Sequence, residues 1–160
     1  SNVKLCNYVN LNEHDKRIAL EMRNHPEIRM WMNNQDNISE EEHFEFINNL
    51  EIDIKRRYFL VKQKDNIIGS INFSEISHGE SLEFGIYSNP LINLKGSGSL
   101  LELVASQYAF LELDVKKINL EVLRDNKRAI NFYKKCGFIF LESQKNNQKN
   151  IMHMQKIRAI

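Results

Sequence analysis

The segment SLEFGIYSNPLINLKGSGSLLELVASQYAF, residues 81 to 110, changes character twice within thirty positions. Its first eight residues read as a β-strand, and the region after Gly98 spaces Leu100, Leu101, Val104, Tyr108 and Leu111 as a helix does. Between them stand Asn89-Pro90 and the pair Gly96 and Gly98. Glycine inside a helix costs about 0.5–1 kcal/mol relative to alanine. A glycine pair at a helix start is therefore either a capped loop or a place where bare backbone lies against a ligand. A strand that turns through glycine into a helix points unpaired N–H groups at an anion. The pattern is not G-x-G-x-x-G, since Leu101 holds the third glycine position, and it lacks the G-K-[ST] ending of a P-loop. These residues alone leave the two readings even.

Working outward, Asn12 caps a predicted first helix over about 12–24 that ends before Pro26. Ser39 and Glu42 form a capping-box pattern ahead of Phe44, Ile47 and Leu50, which predicts a second helix. The period then becomes that of strands: Tyr58–Gln63 and Ile67–Ile76 joined by a tight turn at Asp65-Asn66, then 81–88 with Gly85 as a bulge position. Beyond the glycine turn and its helix, KKINLEVLR alternates as a strand. NKRAINFYKKCGF is a short helix from the N-cap Asn126 to Gly137 at C′, and FIFLESQ and KNIMHMQKI are closing strands. The order helix–helix–strands–helix–strand–helix–strands predicts a mixed α/β (α+β) domain, with 1–160 as a single unit.

Composition bounds the function. The chain has 160 residues, 42% apolar and 27% charged, an ordinary globular balance. No apolar run reaches the ~18 residues of a membrane span, and no signal-peptide pattern opens the chain. Cys6 and Cys136 offer no disulfide framework or metal set, which suits a reduced, cytoplasmic compartment. A net charge of +1 argues against a nucleic-acid partner. The five histidines show no metal-ligand spacing, so no metal is expected.

The conjunction of a glycine-pair turn, an intervening strand and Asn-x-x-Ala-x-x-x-Tyr-x-x-x-Gly-Phe over 126–138 is specific. It resembles the GNAT superfamily of acetyl-CoA-dependent N-acetyltransferases, and most of all residues 83–138 carry the likeness. The resemblance implies a GNAT fold, a mixed central sheet flanked by helices. It implies that Asn93, Lys95, Gly96, Ser97, Gly98, Ser99 and Leu100 cradle the CoA pyrophosphate, with Asn93 standing where the family usually has Gln or Arg. By the same resemblance Ile86, Tyr87 and Ser88 run beside the pantetheine arm, Asn126 contacts CoA, and Tyr133 contacts the cofactor and protonates the departing thiolate. An attacking amine must be unprotonated, so a proton acceptor is needed; Glu83, earlier on the same strand, is the candidate general base, directly or through water. Cys136, at a helix end and with no activating partner, is not expected to carry the acetyl group.

Within the superfamily, EMRNHPEIRMWM (21–32) and EEEHFEFI (40–47) are similar to the acetyltransferases of the pseudaminic-acid pathway. That likeness implies a UDP-linked 4-amino-4,6-dideoxy sugar as acceptor, bound by Arg23, Met32, His43, His78 and Tyr87, and it allows a homodimer. Two alternatives stay open here. One is a RimJ/RimL-like acetyltransferase acting on protein N-termini; the other is a module that binds acyl-CoA without turnover.

Overall fold

The computed structural model describes residues 2–142 and 150–159. Its centre is one seven-stranded sheet: β1 (Val3–Asn7), β2 (Arg57–Gln63), β3 (Asn66–Ser77), β4 (Ser81–Ser88), β5 (Lys117–Leu123), β6 (Ile139–Leu141) and β7 (Ile151–Ile157). They lie in the order β1-β2-β3-β4-β5-β7-β6. Every neighbouring pair is antiparallel except β4 with β5, which run parallel. A parallel pair needs a crossover, and here the glycine turn and the helix after it supply that connection. The expected mixed sheet with flanking helices is what the chain forms.

Side chains alternate across the sheet, and the two faces carry different helices. On one face Phe59, Ile71, Phe73, Leu82, Phe84, Ile118, Leu120 and Met154 form the larger core. Leu101 and Ala105 of α4 (Ser97–Gln107) and Ile130 of α5 (Lys127–Lys135) join it. On the other face Leu60 packs with Ala19 and Met22 of α1 (Glu13–Asn24) and Ile47 and Leu50 of α3 (Glu40–Leu50). The short α2 (Pro26–Arg29) starts with Pro26 at its first turn, where the missing N–H costs nothing.

Helix ends follow the caps in the sequence. Asn12 accepts from the Asp15 N–H at 2.8 Å, and Ser39 accepts from the Glu42 N–H at 3.1 Å while donating to the Glu42 carboxylate at 3.0 Å. The end of α5 is a Schellman motif: Gly137, at φ 98°, donates to the Lys134 carbonyl and Phe138 to the Tyr133 carbonyl.

Four expectations need correction. β1, a 3-10 turn at Tyr8–Asn10 and α2 lie in segments where no element was predicted; they are three to five residues long, too short to show a period. The β2–β3 turn sits at Lys64-Asp65, one residue early, with Gln63 paired to Asn66 and Lys64 at φ 56°. Gly85 stays in register opposite Asn72, and the irregularity falls on β3 between Ser74 and Ser77, where Glu75 takes φ 49°. Leu111 is 68% exposed because α4 runs into a π-helical turn, Tyr108–Glu112, whose wider spacing turns Ala109 and Leu113 inward instead. Of the closing strands predicted over 138–144 and 149–157, residues 143–149 lie outside the described residues.

Helix α4 presses closely on the sheet at Gly69. A Cβ there would stand 2.4 Å from the Tyr87 carbonyl oxygen and 2.5 Å from Leu101 Cδ1. Backbone cannot step aside as a flexible side chain can, so Gly69→Ala should destabilise the fold by at least about 1–3 kcal/mol. Urea denaturation reads this as a lower midpoint at unchanged m; an unaltered midpoint would remove the contact from the account.

Candidate active site

The parallel pair at the centre of the sheet is short. β4 and β5 are in register only at Ser81–Lys117, Leu82–Ile118 and Glu83–Asn119. β4 then continues to Ser88 beside β3, and β5 continues to Leu123 beside β7. Past Glu83 the two strands part, and no ladder pair spans the gap among the described residues. Backbone polar groups there are offered to whatever occupies the opening, because an unpaired peptide group needs a partner. Of the cofactor candidates on this strand, Ile86, Tyr87 and Ser88 all belong to the parted stretch and all are half-buried.

The glycine turn closes one end of the gap. Gly96 is the N-cap of α4 at φ 79° and gives no side-chain cap, so the first-turn N–H groups are left for another acceptor. A Cβ on Gly98 would meet Phe132 at 3.7 Å and the Ser88 hydroxyl at 3.9 Å, ordinary contact distances. Protein packing therefore does not demand glycine at 98. Ser97 donates to the Ser88 hydroxyl at 2.9 Å and ties the turn to the end of β4. Asn89 secures the exit from the strand: it is buried, donates to the Ile67 carbonyl at 2.8 Å and accepts from the Leu91 N–H at 2.9 Å. Asn93, Lys95 and Ser99 are exposed around the turn, while Leu100 is half-buried.

Helix α5 forms the adjoining wall. Asn126 caps it, accepting from the Ala129 N–H at 3.2 Å. Phe132 faces Gly98, and the Tyr133 ring lies 6.1 Å from Phe84, the first β4 residue past the last β4–β5 pair. Burial holds the Tyr133 phenol far above its usual range, and the Cys136 and Glu102 groups nearby push the same way. The phenol thus stays protonated at any ordinary pH. Burial also raises Cys136, with Glu102 adding to it, so this thiol is a poor nucleophile.

Glu83 projects from the opposite face of the sheet, in register with Ser74 on one side and Asn119 on the other. Burial raises its pKa first, then the charges of Glu121 and Glu75, against a lowering by His153. On the same face Gln155 donates to Asn119 at 2.8 Å. Sequence reading missed Asn119, Glu121, His153 and Gln155, because their strands are distant in the chain and only the sheet order brings them beside Glu83. An elevated carboxylate on one face and a neutral phenol on the other suit proton uptake and proton delivery across the parted strands.

The acceptor-side residues divide. Met32 lines a cleft of about 570 Å³ with Asn33, Gln35, Leu123, Asp125, Asn150 and Ile151, at the end of β5. Arg23 donates through Nη2 to the Asn34 carbonyl at 2.8 Å, and its Nη1 is buried with no partner among the described residues. Its charge acts on Tyr58 and Tyr87, whose phenols burial keeps protonated. Tyr87 pairs across the sheet with Ser70, whose hydroxyl lies 2.7 Å from that of Tyr8. Two residues are placed elsewhere. His43 is buried, with Nε2 2.8 Å from the Lys16 carbonyl, where it ties α3 to α1 and is kept neutral by burial. His78 is exposed in the β3–β4 turn, at the opposite end of β4 from the glycine turn, ~20 Å away at the rise of a strand. The reason is periodicity: His43 shares the inward face of α3 with Ile47 and Leu50.

Among the described residues no group of three His, Cys, Asp or Glu is arranged to hold a metal ion. No helix is long and apolar enough to cross a membrane.

The family model of the acetyltransferase (GNAT) domain matches residues 8–139. The chain is 37% identical over 143 residues to acetyltransferase PseH of Campylobacter jejuni, covering 89% of this chain and 88% of the relative. The crystal structure of C. jejuni PseH in complex with acetyl coenzyme A superposes with a TM-score of 0.79 at 30% identity, over 98% of this chain and 99% of that one. A spermidine N-acetyltransferase from Vibrio cholerae, in complex with CoA and spermine, gives a TM-score of 0.83 at 27% identity, over 98% and 95%.

Proposed function

The chain belongs to the GNAT acetyltransferase family, and from that membership we propose that it transfers the acetyl group of acetyl-CoA to the 4-amino group of a UDP-linked 4-amino-4,6-dideoxy sugar. The parting of β4 and β5 beyond Glu83, with the open N-terminus of α4 at one end and Tyr133 beside Phe84, is the observation that carries the reading. The likeness to PseH, whose solved complex contains acetyl coenzyme A, supports the donor and the pathway.

In this reading the pyrophosphate sits on the amides of Lys95 to Leu100, where the α4 dipole and free N–H groups favour negative charge. The pantetheine arm lies along Ile86 to Ser88 and pairs with the unladdered backbone of β4. The acceptor approaches from the face that carries Glu83. Glu83 takes a proton from the ammonium, directly or through water, and the free amine attacks the thioester carbonyl. The C–N bond forms, the tetrahedral intermediate collapses, the C–S bond breaks as Tyr133 gives its proton to the sulfur, and the second amine proton, lost as the amide forms, passes through water to the phenolate and restores it. The Nη1 of Arg23, without a partner among the described residues, is suited to a phosphate oxygen of the acceptor, and Met32 lines the cleft that would receive the remainder of it.

A polyamine acceptor is the second reading, favoured by the carboxylates of Glu75 and Glu121 acting on Glu83 and by the likeness to the V. cholerae enzyme. Thiol release from acetyl-CoA separates the two. The UDP-4-amino sugar should give a kcat/KM at least about 10²-fold above that for spermidine or an N-terminal peptide, the margin expected where buried polar groups recognise a substrate. Turnover with spermidine or the peptide but not with the sugar nucleotide would overturn the assignment.

A further inference from the structure

Below Tyr133, where α4, the end of α5 and β7 meet, a charged cluster is buried that the transfer reaction does not use directly. Glu102 is 6% exposed, and its carboxylate receives Lys156 Nζ at 2.8 Å and the Ser106 hydroxyl at 2.7 Å, both on Oε2. Lys156 Nζ also reaches Ser106 Oγ at 3.3 Å. The lysine side chain passes beneath the end of α5: its Cε would lie 3.8 Å from a Cβ on Gly137, and Nζ stands 5.8 Å from the centre of the Phe138 ring. Phe138 in turn meets Tyr133 edge-on at 5.5 Å and stacks with Phe84 at 5.3 Å.

The titratable groups acting on Tyr133 are Glu102 from α4 and Cys136 from its own helix, with Lys156 from β7 bonded to the first. β4 presents Phe84 and the residue before β6 is Phe138, neither of which titrates. A carboxylate this buried, if unpaired, would raise the cost of any negative charge forming at the phenol and would loosen the aromatic wall that fixes its ring.

We propose that Lys156 is a positioning residue for acetyl transfer: by pairing with Glu102 under Phe138 it holds Tyr133 in place at the parted strands and keeps the carboxylate from opposing proton delivery. This rests on the reading of Tyr133 as the proton donor, and its test reports on the cluster independently of that reading.

Cys136 is a built-in reporter, since Glu102 raises its thiol while Lys156 lowers it. In a Cys6→Ser background, alkylation of Cys136 and turnover with the UDP-4-amino sugar are measured for the full chain. Lys156→Met should slow alkylation at pH 8 by roughly threefold or more, as the thiolate fraction falls. It should also lower kcat about tenfold with little change in the acetyl-CoA KM, the signature of a misplaced reacting group. Glu102→Gln should speed alkylation. Lys156→Arg, and the double variant Glu102→Gln/Lys156→Met, should recover most of kcat. Should Lys156→Met fail to fold, Glu102→Gln and the double variant carry the same comparison, because neutral replacement of both partners of a buried pair is commonly tolerated. Unchanged alkylation in both single variants, or a double variant that regains its melting temperature but not its kcat, would overturn the proposal. If Tyr133→Phe leaves turnover intact while alkylation still responds, the donor reading fails and the cluster's electrostatics stand.

Discussion

Tyr133→Phe lowers kcat by about 10²-fold or more and leaves the KM for acetyl-CoA nearly unchanged. The expectation follows from where the phenol stands. Its ring is fixed between Phe84, Phe132 and Phe138, so removing one oxygen leaves the packing intact. Burial keeps the hydroxyl protonated far beyond its usual range, so the phenol enters the reaction holding its proton. A thiolate leaving into this apolar wall without a proton would carry an unsolvated charge, and that cost falls on the transition state and not on the bound thioester. Steady-state kinetics with the UDP-4-amino sugar measure the split between kcat and KM. Wild-type turnover in the phenylalanine variant would remove Tyr133 from the chemistry.

Glu83→Gln is the second large effect, a loss of about 10² in kcat that grows as pH falls towards the raised value of the carboxyl and stops growing below it. The carboxylate is raised by burial and by its neighbours Glu121 and Glu75, which moves it towards the range where a base is useful. The wild-type rate should fall as pH drops through this raised value, because the protonated acid no longer accepts a proton. Stability runs the other way. A carboxyl with a folded-state pKa above its unfolded value stabilises the fold below the unfolded value, and that contribution is lost as pH rises through the folded one. At neutral pH the charged Glu83 therefore costs stability, and glutamine removes that cost. A small rise in melting temperature at pH 7 together with the loss of rate is the expected pair of results. An equally active variant, or an inactive one that is less stable at pH 7, would contradict the assignment.

Much of the structure around the candidate cofactor site was legible because its signals are local. Asn126 and Gly137 mark the ends of α5 through one cap and one left-handed residue, and the structure realises both. Gly96 and Gly98 sit where the strand 81–88 must turn into α4, within a few residues of each other. The acceptor half was less legible. His43 and His78 carry chemistry that invites a role, but helix phase buries the first and hairpin position removes the second from the gap. Leu111 followed the helical repeat until the π-turn after Gln107 shifted it outward, a change that no side-chain spacing announces. Lys156 and Glu102 are 54 residues apart and become partners only through the crossover that places β7 beside β5.

By itself the sequence determined the elements that depend on a few neighbouring residues: the caps, the glycine turn, the strand and helix periods, and through them the family. The tertiary structure decided what depends on non-local pairing. It set how far β4 follows β5 before they part, which face of the sheet Glu83 shares with Asn119 and Glu121, and which buried cation answers Glu102. The division has one physical cause. Caps and periods are satisfied by atoms within a turn or two of chain, whereas strand register and buried charge pairs are fixed only when distant segments exclude water together.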